Sequence, residues 1–340
     1  MNLNRGINLG GFLSQCEHKV SHYETFILEE DVKQIAEWGF DHVRVPVDYE
    51  VVETEDGQEK ESGYVYIDNI VKWSKKYGLN MILDLYKAYG YDFNDAGNAE
   101  KNNLFSNEAL QQRFVDLWKR FAVRYGAESH LVFELLNEVV EEDNAAAWNQ
   151  LISKTVDAIR SITKNTYIIY GGIRWNSAST LQYLEKPVHE NIIYTFHFYE
   201  PLLFTHQKAG WVATMDPNQT VSYPSTMEYY KAESEKLGAQ GISVTDAKAL
   251  TMGKEFITER IEEAILAAKN AGVGLYCGEF GVIDEAPVED TLRWFEDVDE
   301  VFRQHEIGCA VWSYKRMNFG FIDEHYDTIR NRLIALWNGK

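Results

Sequence analysis

Basic residues are scarce in this chain. Its 33 Lys and Arg stand against 53 Asp and Glu, a formal net charge of −20. A field of that sign repels phosphate backbones and anionic lipid, so nucleic acid and membrane surfaces are poor partners and a neutral ligand suits it better. Ordinary solubility is the plainer reading of the same charge. Cysteine is sparse as well. Cys16, Cys277 and Cys309 form an odd set without CxxC or Cys/His spacing, which argues against a disulfide framework and a zinc site and fits a reducing compartment. Cys277 and Cys309 fall inside predicted strands, where a free thiol acts as a small hydrophobe. No apolar run approaches the ~18 residues needed to span a bilayer. No basic stretch with an apolar core precedes the strand signal that follows Met1-Asn2-Leu3-Asn4-Arg5. The expectation is a cytoplasmic protein, or a secreted one if a leader has been removed. GxGxxG and P-loop patterns are missing, which weakens a nucleotide-binding reading.

What is present is alternation. Short apolar, β-branched runs occur at Arg5–Gly10, His42–Val47, Met81–Tyr86, Leu131–Glu138, Tyr167–Gly172, Ile192–Tyr199, Gly274–Phe280 and Gly308–Tyr314. Helical spacing follows most of them: Leu110, Phe114, Leu117, Phe121 and Tyr125; Trp148, Ile152, Val156 and Ile159; Phe256, Arg260, Ile261, Ala264, Ile265 and Ala268; Leu292, Phe295, Val298 and Phe302. Asp143 and Asn144 offer an N-cap, and Gly39, Gly126 and Gly272 stand where helices should stop. Repeated strand–helix units imply a parallel sheet, and eight of them fit a closed barrel better than an open sheet. The predicted fold is α/β, a (β/α)8 TIM barrel forming one catalytic domain over residues 1–340. Residues 200–253 break the rhythm with three prolines and several aromatics, and they are too long for a simple connection. They read as an insertion subdomain after strand 6, over the mouth of the barrel. A surface elaboration without function is the alternative.

In such a barrel the C-terminal ends of the strands carry the chemistry. Glu138, in FELLNE, ends the fourth strand run, and Glu279, in YCGEFG, ends the seventh. Two carboxylates brought together by folding are what glycosidic bond cleavage requires, one to protonate the leaving oxygen and one to attack the anomeric carbon. Either alone reads as a turn or helix start. Arg44, in HVRVP, is placed to keep Glu279 ionised, or to serve as a structural ion pair. By strand alternation Glu134 shares an inward face with Leu136 and Glu138 and needs a donor, which Arg44 can supply. His197 and Tyr199, in FHFY, lie on one face and can tune the acid and hydrogen-bond the nucleophile, or simply pack in the core. Trp312, in AVWSY, offers an indole to the apolar face of a sugar, with core packing as the alternative. Tyr49, Tyr86, Tyr89, Tyr91, Trp175, Phe204 and Trp211 crowd the loops nearby.

Taken in order, RGINLGG, DHVRVP, FELLNE, TFHFY, YCGEFG and AVWSY resemble glycoside hydrolase family 5 of clan A, and within it the clostridial endoglucanase C-type cellulases, with LLFTHQKAGW, ending at Trp211, matching a run in their insertion. The resemblance covers essentially the whole chain. It implies a retaining double displacement with no metal and no organic cofactor, Glu138 as acid/base, Glu279 as nucleophile and Asn137 on the sugar 2-hydroxyl. Arg44, His197, Tyr199 and Trp312 match the remaining site residues. The implied partner is a β-linked oligosaccharide or glycoside, bound by a monomer. One departure stands out. Where the family's third strand usually ends in LDxHHAPG, this chain has LDLYKAYG, with Tyr86 and Lys87 in place of two histidines. A bulkier ring and a mobile point charge near the cleft predict an altered −1 or −2 subsite and a shift from plain cellulase action toward exo-action or toward short or decorated β-glycosides. An endo-β-1,4-glucanase proper, a transglycosylase and a sugar-binding barrel without turnover are the rival readings. No appended binding module or linker is visible, which argues against crystalline polysaccharide as the substrate.

Overall fold

Eight parallel strands close on themselves in sequence order. The computed structural model describes residues 1–339. The strands are β1 (Arg5–Asn8), β2 (His42–Asp48), β3 (Asn80–Lys87), β4 (Leu131–Glu134), β5 (Ile168–Gly171), β6 (Ile192–Phe198), β7 (Gly274–Phe280) and β8 (Gly308–Val311). The barrel helices are α1 (Glu29–Glu37), α2 (Glu61–Tyr77), α3 (Glu108–Tyr125), α4 (Ala145–Arg160), α5 (Lys254–Ala271), α6 (Val288–Gln304) and α7 (Arg330–Trp337). The fifth connection departs from the expected alternation, carrying only a 3-10 turn at Ala178–Tyr183.

The apolar spacing read from the sequence is the buried face of each helix. Phe114, Leu117, Phe121 and Tyr125 of α3 and Leu292, Phe295, Val298 and Phe302 of α6 all pack into the main core around the barrel. Asn107 caps α3 by accepting from Ala109 and Leu110 backbone N–H groups. At α4 the expected cap residue Asn144 holds the N-cap position without a side-chain cap, since its amide donates to Glu141 instead. Gly272 closes α5 at φ +76°, a left-handed turn that glycine adopts without a Cβ clash. Inside the barrel a separate apolar layer of Ile82, Val132, Ile169, Tyr276 and Ala310 fills the lower half. The polar site sits above it.

Five expected strands are shorter than read. β1 stops at Asn8, β4 at Glu134 and β8 at Val311, while β5 loses Tyr167 and Gly172 and β6 loses Tyr199. The apolar run Leu135–Leu136 stays buried beyond the end of the regular strand, where Leu135 N–H still donates to the Ile169 carbonyl at 3.0 Å and Asn137 N–H to the Leu85 carbonyl at 2.9 Å. Between β6 and α5, residues 200–253 carry short helices at Leu202–Thr205, Met227–Ser234 and Ile242–Thr245 and a 3-10 stretch at Glu235–Gly241. Among the described residues, no helix is long and apolar enough to cross a membrane.

Candidate active site

Arg44, in β2, is fully buried, and its position organises the barrel mouth. Its Nε donates to Glu134 Oε2 at 2.8 Å and its Nη2 to Glu134 Oε1 at 3.0 Å, a forked pair. Nη1 donates to Asn8 Oδ1 at 3.0 Å and to Glu279 Oε1 at 2.8 Å, and Nη2 also donates to Asn137 Oδ1 at 3.1 Å. All five N–H groups of the guanidinium are thereby committed. Asp84, on β3, lies 3.1 Å from Nη2. Both its oxygens are nonetheless buried without a hydrogen bond, since no N–H remains to point at them. Burial drives the Asp84 carboxyl up, Arg44 opposes this, Glu134 and Glu279 add to it, and the balance lies well above the usual aspartate range. Asp84 thus sits at the floor of the site as a third carboxyl beside Arg44, with its protonated form favoured by burial.

Glu279, in β7, has two donors. Arg44 holds Oε1, and Tyr199, just beyond β6, donates to Oε2 at 3.0 Å. Burial raises its pKa above the ordinary glutamate value, with His197, Arg44 and Tyr199 opposing the rise and Glu138 adding to it. Register shifts in the β6–β7 and β7–β8 pairings bring His197 opposite Glu279.

Glu138 stands beyond the end of β4, at φ +40°. The alternation that was expected to align Glu134, Leu136 and Glu138 therefore does not apply. A left-handed backbone at a non-glycine residue is strained and needs an anchor. Tyr91 supplies one: its hydroxyl accepts from Val140 N–H at 2.8 Å and donates to the Glu138 carbonyl at 3.0 Å. The Glu138 carboxyl itself meets His197 Nδ1 at 2.7 Å. Burial pushes Glu138 up to about 8, against the pull of Arg44. Burial likewise pushes His197 down to about 4, so its imidazole is neutral above that. A carboxyl O–H shared with a neutral imidazole satisfies the contact. Glu138, His197 and Glu279 each place one oxygen or nitrogen within 4.8 Å of the others. A metal ion could use that spacing, but Arg44 already supplies positive charge there.

Trp312, the first residue after β8, and Tyr86, in β3, stack almost parallel, with centroids 5.8 Å apart and planes 8° apart. Asn137 Nδ2 is buried without a partner, leaving a donor for a ligand. The site thus holds Arg44, Tyr86, Asn137, Glu138, His197, Tyr199, Glu279 and Trp312 together. Lys87 turns away. Its ammonium donates to Glu50 Oε1 at 2.7 Å and lies 3.6 Å from Asp92 Oδ2, so the charge expected to be mobile is pinned. Of the loop aromatics, Tyr49 and Tyr89 pack with Arg113, Phe204 is core, and Trp175 and Trp211 remain exposed. Asn8, Asp84 and Tyr91 escaped the sequence reading as site residues. The first two were visible as polar residues inside apolar strand runs, RGIN and MILDL.

The family model described as cellulase (glycosyl hydrolase family 5) matches residues 6–318. The chain is 41% identical over 336 residues to Endoglucanase C of Acetivibrio thermocellus, covering 97% of this chain and 96% of that protein. It is 40% identical over 310 residues to Cellodextrinase A of Ruminococcus flavefaciens, covering 90% and 84%. Among solved structures it is similar to a mutant form of Thermotoga maritima Cel5A in complex with cellobiose. That match has a TM-score of 0.77 and 26% identity, over 98% of this chain and 96% of the other.

Proposed function

The chain belongs to the cellulase family, glycosyl hydrolase family 5, and on that footing we propose that it cleaves β-linked gluco-oligosaccharides with retention, using Glu279 as nucleophile and Glu138 as acid/base. The observation that carries the assignment is the unlike surroundings of the two carboxyls. Glu279 receives two hydrogen bonds that favour its charged form, while Glu138 has only a neutral imidazole and is pushed up to about 8. Hydrogen bonds that favour the charged form of one carboxyl, beside burial that favours the protonated form of the other, suit the first to attack and the second to protonate the leaving oxygen.

In the first step a Glu279 oxygen bonds to the anomeric carbon as the bond to the leaving oxygen breaks, and Glu138 gives its proton to that oxygen. In the second step Glu138, now a carboxylate, takes a proton from water. The water oxygen bonds to the anomeric carbon and Glu279 is released. Arg44 and Tyr199 take back the carboxylate at that moment without rearrangement. Asn137 Nδ2 serves the sugar 2-hydroxyl, and the Trp312–Tyr86 pair lines the −1 subsite. Tyr86 in the place of a family histidine narrows that subsite, which favours short β-glycosides. Residues 200–253 form a subdomain bordering the cleft on the leaving-group side, where Trp211 packs edge-on against His206, itself against Tyr199. The enzyme acts as a monomer.

Glu138→Ala and Glu279→Gln are each expected to lose about 100-fold or more of kcat on β-glucosides whose leaving group needs protonation. With an activated aryl leaving group, azide restores turnover of Glu138→Ala and yields a β-glycosyl azide. An α-azide product, or a fully active Glu279→Gln, contradicts the proposal.

A further inference from the structure

Outside the catalytic centre, a cavity of about 390 Å³ opens between the loops that follow β1, β2 and β3. Its charged lining is unbalanced. Asp48, Glu50 and Asp92 share one ammonium, that of Lys87, which donates to Glu50 Oε1 at 2.7 Å and lies 3.6 Å from Asp92 Oδ2. Asp48, the last residue of β2, is buried. Gln15 N–H and the His18 ring both address its Oδ2, at 3.0 and 3.3 Å, which leaves Oδ1 for another partner. Burial raises the Asp48 carboxyl above its usual range; His18 opposes this and the Glu50 charge adds to it. Glu50 Oε2 is withdrawn from solvent with no donor. A buried carboxylate oxygen without a hydrogen bond is costly, so this oxygen calls for a ligand.

His18, Asp48 and Glu50 each place one ligand atom within 4.8 Å of the others. Atoms bound to one ion at ~2.0–2.2 Å stand roughly 3–4 Å apart, and His18 Nε2 is already 3.3 Å from Asp48 Oδ2. The Glu50 side chain is partly exposed, so it has room to close the remaining distance. On the other side of the imidazole, Nδ1 lies 2.7 Å from the Tyr23 hydroxyl. That partner fixes the ring and, with the proton on Nδ1, leaves a bare Nε2 lone pair facing Asp48, the arrangement a metal-binding histidine needs. We propose that His18, Asp48 and Glu50 bind one divalent transition-metal ion, with Zn²⁺ as the best match, at a site separate from the catalytic centre. The imidazole selects against Ca²⁺, which takes an all-oxygen shell. Glu138, His197 and Glu279 have comparable spacing, but there the buried Arg44 already donates to Glu279 at 2.8 Å. His18 precedes the helix Val20–Phe26, Asp48 ends β2 and Glu50 lies in the short helix Tyr49–Val52, so one ion fastens the loop after β1 to the end of β2. Lys87 holds the other Glu50 oxygen and keeps that carboxylate in place.

The test is equilibrium dialysis of the EDTA-treated whole chain against Zn²⁺, with metal analysis and thermal denaturation. One Zn²⁺ per chain is expected, with a melting temperature raised by ~2 °C or more at saturation. His18→Gln and Glu50→Gln are each expected to weaken Zn²⁺ binding about tenfold or more. Circular dichroism checks that both are folded, and Asp48→Asn, which keeps the side-chain shape, replaces either one that is not. A chain that takes up no Zn²⁺ overturns the proposal, and so does uptake that these variants leave undiminished. Binding lost in Glu138→Gln but kept in His18→Gln puts the ion in the catalytic centre and overturns it as well. Ca²⁺ taken up at the same site with equal affinity contradicts the assigned class of ion.

Discussion

At the scale of single residues, the account turns on the proton of Glu138. Turnover requires Glu279 charged and Glu138 protonated at once. Glu138 is pushed up to about 8 by burial, so it keeps its proton through neutral pH and loses it as pH rises through about 8. The kcat/KM profile is expected to fall on its alkaline side near pH 8. With a dinitrophenyl leaving group, which departs unprotonated, the Glu138→Gln variant should lack that limb; a limb that persists there belongs to another group. Much of this was legible in advance. Glutamates at strand ends, an arginine in an apolar strand and a His-x-Tyr pair point to one rim because strand ends in a barrel converge. The unbonded position of Asp84 beside Arg44 was not legible, since it follows from how Arg44 spends its five donors, and no spacing encodes that.

At the scale of elements, the strand boundaries matter most where they failed. FELLNE reads as one apolar run, but the ladder stops at Glu134, and Glu138 is held by a turn rather than by a strand. Apolar content marks burial, and Leu135 and Leu136 are indeed buried, with backbone bonds from Leu135 to Ile169 and from Asn137 to Leu85; it does not mark the turn at Glu138 that ends the run. The anchor comes from Tyr91, far away in sequence and placed by the irregular loop after β3. Tyr91→Phe leaves Val140 N–H and the Glu138 carbonyl without their partner in a dry setting. A loss of about 1–3 kcal/mol of stability is expected, read as a lower denaturation midpoint. A matching drop in kcat with little change in KM should accompany it, because the acid is mispositioned and the sugar subsites are not. A variant with normal kcat would show that the turn holds without the hydroxyl. The fifth connection and the register shifts around His197 and Glu279 were equally hidden, since a bulge leaves the local composition of a strand unchanged.

At the scale of the whole molecule, the barrel topology followed from eight repeated units, and the charge of −20 sets the terms on which substrate arrives. A neutral cello-oligosaccharide feels none of that field, whereas an anionic chain such as carboxymethyl-glucan is repelled. Raising salt from about 10 to about 150 mM shortens the screening length from about 30 to about 8 Å. The kcat/KM on the anionic chain should therefore rise several-fold while that on cellotetraose stays flat; parallel behaviour of the two would deny the field a role. The most direct measurement of the central claim is to trap the covalent intermediate with an activated 2-deoxy-2-fluoro-β-cellobioside and to locate the label by peptide mass spectrometry. The account predicts one glycosyl unit per chain, attached at Glu279. A label on any other residue, or a reaction that releases sugar of inverted configuration without an adduct, would contradict it.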